Sequence, residues 1–131
     1  MIIDKQLQLD SGVAITVTAA STNIIDQGAA GNAYGNELYM VARVGTAFTA
    51  AGAGTLDIQL QTATDLAFTT PIVLYDSGAI AKTALTANTE VVKVRIPPGA
   101  KRYIRGYYTV GTGPMTAGTL DLFFTPDVHL V

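Results

Sequence analysis
The 131-residue sequence predicts an all-β fold, a two-sheet sandwich of seven or eight antiparallel strands. Thr, Gly, Val and Ile are frequent, and no window carries an apolar i, i+3, i+4, i+7 stripe between helix caps. Short runs that alternate apolar and polar residues recur along the chain. Glycines and prolines fall between these runs: Gly28 and Gly31, Gly52 and Gly54, Gly78, Pro97-Pro98-Gly99, and Gly111 through Gly118.

VAITVTA (13–19) places Val13, Ile15 and Val17 on one face and Thr16 and Thr18 on the other. TNIID (22–26) is a short candidate for an eighth strand. ELYMVARV (37–44) is nearly continuously apolar, as a strand covered on both sides or packed at a partner surface would be. TLDIQLQT (55–62) sets Leu56, Ile58 and Leu60 against Asp57, Gln59 and Gln61, the pattern of a half-buried strand. PIVLYD (71–76) reads like ELYMVARV, and EVVKVRI (90–96) returns to alternation. RYIRGYYTV (102–110) and TLDLFFT (119–125) are joined by GTGPMTAG, which reads as a long hairpin loop. This count suits a sandwich or a jelly roll, and the two-sheet jelly roll is preferred because the Cys and Trp hallmarks of antibody domains are absent. The chain is expected to form one domain over residues 1–131 with a short N-terminal arm.

Composition restricts the function classes. With no cysteine there is no disulfide framework, thiolate metal site or Cys nucleophile. A net charge of -2 removes the broad positive field of sequence-independent nucleic-acid binding. The opening MIIDKQLQLDSG lacks the basic and apolar regions of a signal peptide, and no stretch approaches a continuous apolar span. Synthesis in the cytoplasm without export, and no membrane partner, are therefore expected. Charged residues make up 14% of the chain, against about 25% in ordinary soluble domains. Thr, Ala, Gly and apolar atoms must cover much of the surface. Such a surface suits contact with another protein, although a Thr-rich β surface can also simply be neutral and soluble.

Catalytic patterns are weak. The single histidine, His129, lies two residues from the C-terminus, a poor place for a triad, and leaves no zinc or copper site. Asp57 and Asp121 lie on polar strand faces and could in principle form a carboxylate pair. Asp26, Asp65, Asp76 and Asp127 fall at strand ends, where turn hydrogen bonds explain them. GAAGNAYG (28–35) lacks the strand-turn-helix context of a phosphate loop. No enzyme activity, cofactor or metal is expected. KRYIRGYY (101–108) interleaves basic and aromatic residues, and strand alternation groups Tyr103, Arg105 and Tyr107 on one face. In an acidic chain this reads better as a protein-contact patch than as a nucleic-acid platform, and tyrosines packing at a sheet edge would look the same.

Four segments, MIIDKQLQL, ASTNIIDQG (20–28), TDLAFTTPIVL (64–74) and RYIRGYYTVGTGPMTAGTL (102–120), occur in an order that resembles the small jelly-roll cement proteins of tailed phages, of the kind that stabilise the head of short-tailed Bordetella phage. The resemblance spans nearly the whole chain. It implies a non-enzymatic virion protein added to the outside of the capsid, as a homodimer or higher homo-oligomer, clamping neighbouring major capsid proteins. Its candidate contact elements are the N-terminal Ile2, Ile3, Leu7 and Leu9 and the C-terminal Val128, Leu130 and Val131, which could equally be terminal strands completing the sandwich. The alternative function is a carbohydrate-binding sandwich module, which would need exposed Tyr rings beside Asp or Gln, since the chain has no tryptophan.

Overall fold
In the computed structural model, residues 7–28, 38–97, 99–112 and 114–125 are described. They contain β1 (Gln8–Ala14), β2 (Ala19–Ala20), β3 (Ile25–Asp26), β4 (Tyr39–Val44), β5 (Thr49–Ala50), β6 (Thr55–Ala63), β7 (Ile72–Ala81), β8 (Glu90–Arg95), β9 (Tyr103–Gly111), β10 (Met115–Ala117) and β11 (Thr119–Thr125). The alternation read in TLDIQLQT is realised in β6, where Leu56, Ile58 and Leu60 are fully buried and Asp57 and Gln59 are not. β6 pairs antiparallel with β9 on one side and β7 on the other.

The first sheet has the order β1-β11-β4-β8, and the second β2-β9-β6-β7 with β3 also on β9. All the pairings are antiparallel. The chain passes repeatedly from one sheet to the other: β1 lies in the first, β2 and β3 in the second, β4 in the first, β6 and β7 in the second, β8 in the first, β9 in the second and β11 in the first. Taking β2 and β3 as one interrupted strand, these are the eight strands of a jelly roll. The strand count is higher than the sequence predicts because that strand is split and because β5 and β10 form a separate two-stranded ribbon.

The core lies between the sheets. Leu56, Ile58, Leu60, Ile104 and Tyr108 from the second sheet meet Leu9, Met40, Val44, Leu120, Leu122 and Phe124 from the first. Gly106 allows a close approach, because a Cβ there would collide with the Leu122 side chain. A second constraint is Gly118, with φ +140°, where a Cβ would enter the Phe48 ring.

Three expectations are corrected. The strand anticipated over residues 13–19 lies earlier, at Gln8–Ala14, and Val17 is exposed. The polar QLDSG stretch can pair because Asp10, 1% exposed, is satisfied by the Tyr108 hydroxyl at 2.5 Å and the Thr22 N–H at 2.8 Å. The Thr22 bond lies in the gap between β2 and β3 and joins the two sheets. PIVLYD is not covered on both sides, since β7 is the edge of its sheet and Ile72 and Val73 are half exposed. The connector after β9 is not a bare loop: β10 pairs with β5 and buries Met115. β4 does match its apolar sequence, with Met40, Val41, Ala42 and Val44 all fully buried.

Candidate partner-binding face
Because Ile104, Gly106 and Tyr108 point into the sandwich, the intervening β9 residues Tyr103, Arg105 and Tyr107 share its outer face. Register then determines their neighbours. Ala63 stands opposite Tyr103, Gln61 opposite Arg105 and Gln59 opposite Tyr107. On the far side of β6, Gln61 pairs with Val73 and Gln59 with Asp76. The three residues grouped from the sequence are thus brought together on a sheet face, each partly buried.

Arg105 is held from several directions. Its Nε donates to Gln61 Oε1 at 3.0 Å, and its guanidinium carbon lies 4.2 Å from the Phe68 ring centroid and 5.3 Å from that of Tyr107. Phe68 comes from the β6–β7 turn, where it adopts φ +53° and is buried. That turn is fastened by Asp65, whose carboxylate accepts from the Thr69 hydroxyl at 2.7 Å and the Thr69 N–H at 3.2 Å. The same two bonds hold Asp65 below the ordinary carboxylate pKa.

A hydrogen-bonded line continues across the face. Gln61 Nε2 donates to Gln59 Oε1 at 3.2 Å, and Gln59 Nε2 donates to Asp76 Oδ2 at 3.3 Å. At its end, Asp57 Oδ1 is shut off from solvent and meets no donor among the described residues. Burial first, and the Asp76 carboxyl second, push Asp57 up to about 6. Asp76 moves the other way, because Asp57 and the Gly78 N–H donate to it. The face is therefore positive at Arg105 and carries two adjacent carboxyls at the opposite end, of which Asp57 keeps its proton only below about pH 6.

The other charges are engaged differently. Arg102 makes a two-bond contact with Asp26, at 2.9 and 3.2 Å, and stacks 5.0 Å from the Tyr103 centroid. Its guanidinium holds Asp26 below the usual carboxylate range. Arg43 pairs with Asp121 at 3.0 Å on the first sheet. Asp57 and Asp121, considered together from the sequence, thus lie on different sheets and form no pair. Asp26, Asp65 and Asp76 do form the anticipated turn bonds, to Gly28, Thr69 and Gly78.

Leu9 is fully buried in the core and has no surface to offer, while Leu7 packs partly buried against that core. Ile2, Ile3, Val128, Leu130 and Val131, with Asp127 and His129, lie outside the described residues. Exposed apolar side chains instead occur at Val73, opposite Gln61 on the outer face, at Leu66 in the turn that carries Phe68, and at Ile72, whose pairing with Thr62 sets it on the other side of β7. Sequence reasoning missed Phe68, Gln61 and the Asp57–Asp76 pair. An isolated Phe in a polar turn was a usable signal for the first, whereas the other two depend on cross-strand register. No group of three or more potential metal ligands occurs among the described residues.

The family model Bbp16 matches residues 9–124, from within β1 to within β11, and so includes the entire Arg105 face. The chain belongs to the Bbp16 family. This is a family of phage structural proteins, named for a Bordetella phage protein. A comparison with curated proteins finds no match. In a Bbp16-family jelly roll, a face combining a clamped arginine, two tyrosines and the exposed Val73 has the composition of a protein-binding surface.

Proposed function
We propose that this Bbp16-family protein is a capsid cement protein, bound to the outside of a tailed-phage head and bridging adjacent major capsid proteins. The observation that carries the reading is the Arg105 face: Arg105 clamped by Phe68 and Tyr107, with exposed Val73 across β6 and exposed Leu66 in the turn that carries Phe68. Arginine and aromatic side chains already ordered before binding lose little entropy on contact, and the aliphatic residues supply surface to bury.

The bridging role uses two copies. β7 is a ten-residue sheet edge whose only charged side chain is Asp76, whereas the edge strand β8 carries Glu90, Lys93 and Arg95. A long edge with few charges is suited to pairing with another strand, and a homodimer joined there would present two Arg105 faces to two capsid subunits. Each engaged face raises the effective concentration of the other, so modest single contacts resist separation of the shell.

The carbohydrate-module reading is less well supported. The guanidinium groups of Arg102 and Arg105 stack near the Tyr103 and Tyr107 rings, and Gln59 and Gln61 are already hydrogen-bonded to each other. Co-sedimentation with heads stripped of their decoration tests the proposal. Saturable rebinding that raises the temperature of head rupture is expected. Failure to rebind, with retention on a glycan array, would transfer the assignment to the carbohydrate module.

A further inference from the structure
Arg43 and Arg102 each meet a carboxylate, Asp121 and Asp26 respectively. Arg105 does not. Its side-chain hydrogen bond among the described residues goes from Nε to the neutral Gln61 amide oxygen. The Phe68 and Tyr107 rings, 4.2 and 5.3 Å from its guanidinium carbon, offer no carboxylate oxygen. The terminal nitrogens therefore retain a fork of N–H donors with no internal acceptor among the described residues, held in place by Phe68, Tyr107 and Gln61. A planar fork of this kind matches the two oxygens of a carboxylate, and its rigidity lowers the cost of binding one.

We propose that the Arg105 fork receives the carboxylate of an Asp or Glu side chain on the major capsid protein. This rests on the cement reading above and names the chemistry of that contact. A protein carboxylate fits better than a nucleic-acid phosphate because the chain carries a net charge of -2 and because Asp76 and Asp57 lie on the same sheet face, where they would repel a polyanionic strand. Val73, 46% exposed and across β6 from Arg105, and Leu66, 61% exposed in the turn that carries Phe68, supply apolar surface that would keep water from the ion pair once a protein surface closes over it.

The test uses the full chain and purified decoration-free shells. Arg105→Gln is expected to weaken shell binding at least tenfold while leaving thermal unfolding nearly unchanged. Arg43→Gln, which removes the same charge from the other sheet, is expected to bind like the wild type. Arg105→Lys keeps the charge without the fork and is expected to bind weakly, but treatment of its shell complex with a carbodiimide should couple the new amine to an Asp or Glu of the capsid protein, identified by peptide mass spectrometry. Equal weakening by Arg43→Gln and Arg105→Gln would overturn the proposal in favour of long-range charge. Undiminished binding of Arg105→Gln, or coupling solely to another copy of this chain, would also overturn it while leaving the cement reading in place. If the wild type does not bind shells at all, both fall.

Discussion
Tyr108 and Asp10 show how a buried polar contact can hold two sheets in register. The Tyr108 hydroxyl, pushed far up in pKa by burial and then by Asp10, remains a donor at all ordinary pH values. Tyr108→Phe removes that donor and leaves the buried Asp10 carboxylate with the Thr22 N–H. The expected cost is about 2 kcal/mol, seen as a lower urea midpoint with an unchanged slope. Asp57 has the opposite sign. Folded, it holds its proton up to about pH 6, whereas the unfolded carboxyl releases it near 3.8. Its contribution to stability is therefore greatest below 3.8, falls as pH rises to about 6, and is level above that. Asp57→Asn should match the wild type near pH 3.5 and be the more stable by about 1 kcal/mol at pH 7.5, a figure reduced for solvent screening. Equal stabilities at pH 7.5 would mean that burying the deprotonated Asp57 carboxylate beside Asp76 carries no cost. The inward direction of Tyr108 was readable from alternation, but its partner was not, because residues 10 and 108 meet only after the sheets close.

Elements were legible where one periodicity ruled. β6, β8, β9 and β11 fall within a residue or two of the runs that announce them, since each has a side facing the core and alternation records that directly. β1 was misplaced because Asp10, Ser11 and Gly12 look like a turn, and their pairing with β11 relies on bulges and on the Gly12 N–H bond to Asp121. β10 was hidden in a connector that looks like punctuation, yet Gly118 within it has little freedom. Gly118→Ala is expected to cost more than ~2 kcal/mol, from both the φ of +140° and the collision with Phe48, measured by thermal unfolding. β7 leads to a prediction about association. Replacing Ile72 and Val73 together with lysine should convert a β7-paired dimer to monomer in sedimentation, with little loss of fold because both side chains are half exposed.

At the scale of the molecule, the order in which the chain alternates between sheets is what places Arg105 on an open face while the core closes behind it. The jelly roll was legible from strand number and punctuation together with the resemblance to phage cement proteins. The outer face was legible as a group of three residues, but its clamp was not, because Phe68 returns from a turn and Gln61 belongs to a different strand. The low charge content of 14% is consistent with a surface that works against another protein. The most direct measurement is cryo-electron microscopy of decoration-free heads saturated with the purified protein. The account predicts regular density on the outer surface, with the β9 face carrying Arg105 turned toward the shell at junctions between capsid subunits. Bare shells, or density that leaves this face pointing into solvent, would contradict it.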